Sequence, residues 1–554
     1  MALTLEIKNA KKGLLKKLDD ILSIDVMLTA NRLPIAEIVL LDGDVAQGKF
    51  PLSDTGFFDP GEQISISARR KNGAMTKLFT GFVISQTIEV MSGSSRLCIE
   101  LTDKAHAMTM RRQSFVYRKK SDSDVISKLA GEAGLSIKKV EKTITKYDEL
   151  VQYNCSDWDF CLSRAEANGL ILLVSDGTLS AVQAKLGSQE LEITYGISNV
   201  LDIELKADAR NLYGSVKGFH YDAKKRTLSP PADSAISPAT PGTLRAPTIA
   251  KNLGVKELHL VSPVAGLKAE VEAWAKGAMI RSRLSLIQGR IRVEEEKIAS
   301  LGSSIKLTGC GKVFNGKAFV SGVRHSIQGG TWTTDYQLGL SSETLVERTG
   351  GGISNPLGSG LLPGVQGLQI GTVESILEDP GKEFRVKVKL LGLNQADNML
   401  WARLALPDAG KKRGFNFMPE KDDEVVVGFL NGDPRQPIIL GSLYSSGIPP
   451  HYPPKKENNF KGLISRMGMG IVFDDKELKV ALRSNVQKEE QLIIINKKNK
   501  SIHIIDNLNK NNVKLDNKGI TLASGKDMII DVKGDFKLNA KGKVNIKGAK
   551  TDII

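Results

Sequence analysis

The sequence predicts a mainly β, multidomain protein. Three observations carry this: an alternating run near the C-terminus, short strand-like segments through the first third, and a compact all-β stretch around residue 400. The run is the most informative. Its even positions hold Ile530, Val532, Gly534, Phe536, Leu538, Ala540, Gly542, Val544, Ile546 and Gly548, while Asp, Asn and Lys hold the odd ones. Period two means a strand with one face buried and the other in water. As one straight strand it would be roughly 60 Å long, about three times the usual length. No Asn-Gly or Pro turn folds it into a hairpin. Gly534 and Gly542 fall on the inward face, where the chain can bend at a corner. A thin solenoid fits better than an ordinary sheet.

The preceding residues agree. Apolar-x-apolar units recur at Leu478/Val480/Leu482, Ile493/Ile495, Ile502/Ile504, Val513/Leu515 and Ile520/Leu522, separated by turn-forming residues at 474–475, 497–500, 506–507 and 516–519. Each unit is too small to bury its own apolar face, so neighbours must supply the cover. Several chains wound together would enclose more core than one, which points to an oligomer. A Lys/Asn-rich surface meander is the alternative.

Composition bounds the remainder. At 554 residues the chain is too long for one core and should hold three or four domains. Its 41% hydrophobic content is ordinary, and no apolar run approaches membrane-spanning length. The N-terminus lacks the charged start and apolar stretch of a signal peptide, so synthesis in the cytoplasm is expected. Cys98, Cys155, Cys161 and Cys310 show neither zinc spacing nor a disulfide framework and read as buried thiols. A net charge of +15 favours anionic surfaces without naming one.

Strands are expected at 23–28, 35–41, 64–68, 78–84 and 97–101. A first helix presents Val125, Leu129 and Ala130 and stops at Gly134. A second, capped by Ser156 or Asp157, carries Phe160, Cys161, Leu162 and Ala165 to Gly169. A Pro/Ser/Ala-rich loop occupies 228–247, and Leu267, Val271, Trp274, Ala275 and Ala278 line a third helix. Gly350, Gly351 and Gly352 open the clearest boundary. The expected domains are an N-terminal domain of strands and helices at 1–347, a Gly/Pro linker at 348–365, a barrel at 366–447, a linker at 448–459 and a solenoid tail at 460–554. About five strands, near 373–376, 384–391, 400–405, 424–430 and 438–442, have the size of an OB-fold barrel.

The barrel opens on Asp379 and Pro380, has Trp401 in its middle, and closes on Pro419, Glu424, Val425 and Phe429. Gly432, Asp433, Pro434, Pro437 and Gly441 follow. Val425, Val427 and Phe429 should point inward, with Val426 and Gly428 facing a neighbour or solvent. Gly432-Asp433 reads as a turn with positive φ at the glycine. In this order the segment resembles the barrel of VgrG-type central spike proteins of contractile injection systems. The N-terminal domain resembles that family at Ser156–Phe160, Glu166–Gly169, Phe319–His325 and Gly330–Thr334.

The resemblance implies a hub of duplicated small β-domains with a few helices, the barrel, and an intertwined trimeric, triple-stranded β-helix needle. Ile530, Val532, Phe536, Leu538, Val544 and Ile546 would then line the trimer axis. The implied partners are two further copies of the chain, a hexameric tube protein, baseplate proteins, a pointed PAAR-like cap, effector cargo and, transiently, a target membrane. The particle would be delivered outside the cell or into a target cell.

No chemistry competes strongly. His106, His220, His259, His325, His451 and His503 are scattered, and metal sites need converging ligands. No nucleophile-elbow, zinc-protease or phosphate-loop motif occurs. Glu294, Glu295 and Glu296 read as a solvated turn. Residues 445–459 are too few for an inserted hydrolase. No enzyme activity, cofactor, metal or nucleic-acid partner is therefore expected. The alternatives are an OB-fold nucleic-acid-binding protein, weakened by 5% aromatic content, and a polysaccharide-degrading solenoid, which would need two carboxylates facing one groove.

Overall fold

The computed structural model describes residues 3–552 except 71–72, 92–93, 188, 223–224, 226, 235, 296, 350–355, 391–392, 394–398 and 489. The chain divides into two compact units, Met1–Leu443 and Tyr444–Ile554.

A 13-stranded sheet organises the first unit. Eight consecutive neighbours run antiparallel across it: Val200–Ala207, Ile287–Val293, Thr331–Leu338, Gly316–Gln328, Ile21–Thr29, Ile35–Leu41, Ser94–Thr102 and the end of Thr76–Met91. Beyond Phe82 the long strand Thr76–Met91 pairs only with Ser94–Thr102, while its start pairs with Gln63–Arg70. Alternation drives the burial: Ile24, Val26, Ile38, Leu40, Leu97 and Ile99 lie in one core, while Asp25, Glu37 and Glu100 face away from it. All five strands expected in the first third lie inside these elements.

Gly316–Gln328 sews the two halves of the sheet together. It pairs with Thr331–Leu338 on one side and Ile21–Thr29 on the other. On this strand His325 is buried, with Nδ1 within 3.2 Å of the Thr334 hydroxyl and 3.4 Å from the Trp332 indole N–H, which donates to it. Arg70 stacks 4.2 Å over the Trp332 ring and donates to its carbonyl at 2.6 Å. These contacts account for the segments 319–325 and 330–334 as seam residues.

The helices form as capping dictates. Ser121 and Asp124 make a reciprocal capping box for Asp122–Glu132. The Ser156 hydroxyl accepts from the Asp159 amide at the start of Asp157–Ala167. Gly169, at φ 71°, lies against Gly277 of helix Lys268–Leu284, and a Cβ at Gly169 would stand 2.8 Å from the Gly277 Cα. Only glycines allow that approach. Leu267 sits at the N-cap and is exposed, so it does not belong to the buried face that holds Val271 and Ala275.

Strands Gln369–Ser375, Val386–Leu390, Met399–Leu404, Glu424–Phe429 and Pro437–Ser442 close a barrel. Val373, Val386, Val388, Leu400, Ala402, Val425, Val427 and Ile439 fill it.

Several expectations are corrected or narrowed. Phe384 is exposed with φ 57° and precedes its strand, because Asp379 folds residues 379–385 into a loop. Gly428 is buried beneath Leu368, Leu440 and Ile438, and so faces a neighbour rather than solvent. The 228–247 segment is not all loop: Thr227–Leu228 and Ala232–Asp233 pair with Ser215–Asp222, and helix Ala246–Asn252 begins at its end. Cys155 and Cys161 are buried, and burial pushes the Cys155 thiol up to about 12, but Cys98 and Cys310 are only half-buried. Glu296 and Gly350–Gly352 lie outside the described residues. Glu294 and Glu295 accept from Asn199.

In the second unit, Phe460–Ile464, Gly470–Asp474, Lys479–Arg483, Gln491–Asn496, Ser501–Asp506, Asn511–Asp516 and Gly519–Ala523 form a seven-stranded antiparallel meander. After Ala523 the described chain makes no further ladder. It bends at 525–526, 533–534 and 541–542, each pair containing a glycine. No described helix is long and apolar enough to cross a membrane.

Burial holds the His325 imidazole down to about 4, with the Arg70 charge adding to the effect. The unfolded chain, near 6.5, takes up this proton first, so stability is full above pH 6.5 and falls as pH drops towards 4. Urea unfolding at pH 7.0 and 4.5 should show His325→Gln losing roughly 2–3 kcal/mol less than the parent across that interval. Equal losses in both proteins would remove His325 from the acid response.

Candidate functional site: the hub–barrel latch and the C-terminal apolar face

The barrel meets the rest of its unit through buried charge. Arg164, on helix Asp157–Ala167, is 1% exposed. Its guanidinium donates to both oxygens of Asp122 at 2.7 and 3.0 Å, to Glu270 Oε1 at 3.1 Å and to the Leu361 carbonyl at 2.7 Å. The Tyr147 hydroxyl lies against the same group. Arg435, from the barrel turn after Asp433, donates to that Glu270 oxygen at 2.7 Å and to Asp433 at 2.8 Å. Two cations therefore share one carboxylate. Burial opposes ionisation of Glu270, but Arg435 and Arg164 outweigh it and hold the carboxyl below its ordinary value. Gln436 donates to the Ala265 carbonyl at 3.0 Å beside this group.

Further contacts flank the latch. Arg118 pairs with Glu149 and donates to the Met399 carbonyl, and the Trp401 amide lies 3.5 Å from Glu149. Burial raises the Glu149 carboxyl despite Arg118. Val116 and Val151 join the barrel core, and Tyr153 packs on Phe429.

The barrel residues expected from sequence are placed as scaffold. Asp379 accepts from the amides of Gly381, Glu383 and Arg385 and from the Arg385 side chain; burial opposes its charge, but these donors hold it well below the carboxylate range. Pro380 and Trp401 line a cleft beside the latch. Pro419 is buried and Glu424 half-buried. Val425 is buried and Phe429 is half-buried against the barrel core. Gly432 takes φ 66°, and a Cβ there would stand 2.9 Å from Leu357. Pro434 carries the chain from Asp433 to Arg435, and Pro437 opens the last strand. Gly441 is exposed, with open space where a Cβ would go.

The second unit presents a different surface. Cross-strand partners place Leu463, Ile471, Leu482, Ile493, Ile504, Val513 and Leu522 in one row across all seven strands. Phe473, Val480, Ile495, Ile502, Leu515 and Ile520 form a second row on the same face. Most of these side chains are exposed, Ile520 by 72%. Ile530, Val532, Phe536, Leu538, Val544 and Ile546 are exposed too, from 44% at Val532 to 69% at Ile546. The residues expected to line a needle axis are thus exposed in the single chain, in a segment that makes no ladder. Among the described residues, no group of three or more His, Cys, Asp or Glu is placed to hold a metal ion.

Residues 2–329 match the Alg8 N-terminal domain, and residues 369–444 match the type VI secretion system/phage-baseplate injector OB domain. The chain belongs to the Alg8 N-terminal domain family, and its barrel is similar to those of VgrG-type spike proteins. The type VI secretion system spike protein VgrG5 of Pseudomonas aeruginosa is 46% identical over 66 residues, which is 11% of this chain and 8% of that one. The curated relatives are matched over about a tenth of their own length. A chain of the lidded Francisella PdpA–VgrG complex superposes over 94% of this chain and 80% of its own length, with TM-score 0.54 at 12% identity. The E. coli c3393 protein, described as a type VI secretion component similar to phage T4 tail proteins gp27 and gp5, superposes over 79% of this chain and 99% of itself, with TM-score 0.50 at 13% identity.

The latch went unseen in sequence. Asp122, Tyr147, Arg164, Glu270 and Arg435 are individually unremarkable, and Arg435 lies between two motif prolines, Pro434 and Pro437, with no sign of its partners. Truncating Arg435 leaves a buried anionic cluster short of one cation. Arg435→Ala should therefore cost about 3–5 kcal/mol in urea unfolding and expose Gly432–Gln436 amides to faster hydrogen exchange. An unchanged midpoint would show that the apolar contacts alone hold the barrel.

Proposed function

We propose that this spike is a homotrimer that caps the inner tube of a contractile injection machine, nucleates baseplate and tube assembly, and punctures the target envelope when the sheath contracts. The observation that carries this reading is the exposed double apolar row of the C-terminal meander, followed by the alternating run at 530–548. Apolar area left in water costs about 25 cal/mol per Å² relative to burial, and a long flat apolar face invites association. Two more copies of the same face supply a self-consistent cover.

The large sheet supports the same assembly. Its eight-strand run has free edges at Val200–Ala207 and at residues 84–91 of Thr76–Met91. With an even number of antiparallel strands, those edges run in opposite directions. Head-to-tail joining of copies therefore continues the antiparallel pattern, and a rotation that brings the third copy back to the first makes a closed ring. Three copies of a two-part hub suit a hexameric tube. The other partners are baseplate proteins, a pointed PAAR-like cap at the needle end, effector cargo and a transient target membrane. Force delivered to a stiff trimer needs neither catalysis nor nucleic acid.

Two outcomes test this reading. Val544→Asp would set three carboxylates around a dry axis, where unpaired charge is strongly disfavoured. It should abolish the SDS-resistant trimer and leave the Met1–Leu443 unit folded by circular dichroism; a thermally unchanged trimer would contradict the inward assignment. Lys533, Lys537, Lys541, Lys543 and Lys547 should instead project outward and keep the needle soluble. Their joint replacement by Gln should lower solubility while particles assemble, eject and kill nearly as the parent does, counted at equal particle number. Complete loss of killing with normal ejection would show that charge drives entry.

A further inference from the structure

The far edge of the large sheet carries a cleft that the spike reading does not use. The two-residue strand Gly13–Leu14 pairs on one side with Lys8 and Asn9 and ends the sheet, so its other edge presents free backbone groups. Beside it opens a cavity of about 720 Å³, within the range of ligand-sized clefts. Leu15 and Phe57 are buried at its lining, whereas Leu14 and Leu41 stand 55% and 42% exposed. An apolar wall left open beside a strand edge is surface without an internal use.

The charges around the cleft are one-sided. Asp42 is consumed by the backbone amides of Gly43, Leu52 and Ser53. Lys12 is likewise committed, donating to the Thr55 and Gly56 carbonyls. Lys16 and Lys17 make no ion pair or hydrogen bond among the described residues, and only Asp20 remains to balance them in the lining. A free strand edge, an apolar slot and two available lysines are complementary to a backbone bearing aliphatic and acidic side chains.

We propose that this cleft docks an acidic, aliphatic peptide segment of a partner protein. The segment adds alongside Gly13–Leu14, places an aliphatic side chain between Leu14 and Leu41, and sets carboxylates against Lys16 and Lys17.

The probe is a display library of random dodecapeptides selected on the full-length chain, with the best peptide then synthesised and its affinity measured. Enriched peptides should be acidic and aliphatic. The synthetic peptide should bind roughly tenfold or more weakly to the Lys16→Glu/Lys17→Glu variant and to Leu41→Ser, and more weakly as salt is raised. Lys16 and Lys17 are surface residues without partners, so that variant keeps the fold; circular dichroism checks both variants. No enrichment, enrichment of basic sequences, or equal binding to either variant overturns the proposal. Lysine-dependent binding to phosphatidylcholine/phosphatidylserine vesicles with no peptide enriched would assign the cleft to a lipid surface and overturn it as well.

Discussion

A single antiparallel sheet with nothing stacked on it cannot bury its own face, and the C-terminal unit is built on that constraint. Two apolar rows run across it in register, one over all seven strands from Leu463 to Leu522 and one over six from Phe473 to Ile520. The alternating run beyond has one apolar set of positions and one polar set in its sequence. Neither segment makes sense as a soluble surface alone. Both become consistent when further copies provide the missing half of the core, with lysines left outside to keep the assembly apart from its neighbours. The proposed role follows from this, since a needle cored along its length is stiff.

The barrel is held by a different kind of interaction. Buried ion pairs contribute little net stability compared with apolar packing, because both charges must leave water. Their contribution is directional. Arg164 has its donors assigned to Asp122, Glu270, Tyr147 and a backbone carbonyl, and Arg435 reaches the same Glu270 oxygen from the barrel. Such a network admits one orientation of barrel against hub, which apolar contacts alone would allow to slide. For a protein whose proposed task is to transmit a thrust, a junction with one geometry is more useful than a stronger but looser one.

The sequence made much of the fold legible, and the reasons are local. Period-two alternation located the strands at 35–41 and 97–101, an apolar face and the Gly134 stop located the helix carrying Val125 and Leu129, and a cap located the helix that begins at Asp157, because those signals lie within a few residues of each other. The five barrel strands were legible through turns and motif order. The latch was not, since Arg435 and Glu270 are 165 residues apart and each alone resembles a solvated charge. The Gly169–Gly277 contact was half-visible: Gly169 read as a helix stop, and nothing marked its partner. Phe384 misled because alternation ran into it while Asp379 folded the chain there into a loop. The alternation at 530–548 predicted a strand, and the single chain forms no ladder there, leaving its apolar positions exposed.

The most direct test of this account is the mass of the full-length chain in solution, measured by analytical ultracentrifugation at micromolar concentration and moderate salt. The account predicts one elongated species of three times the chain mass of 60.1 kDa, persisting on dilution. A species at the chain mass, with the C-terminal apolar face stable in water, would contradict it.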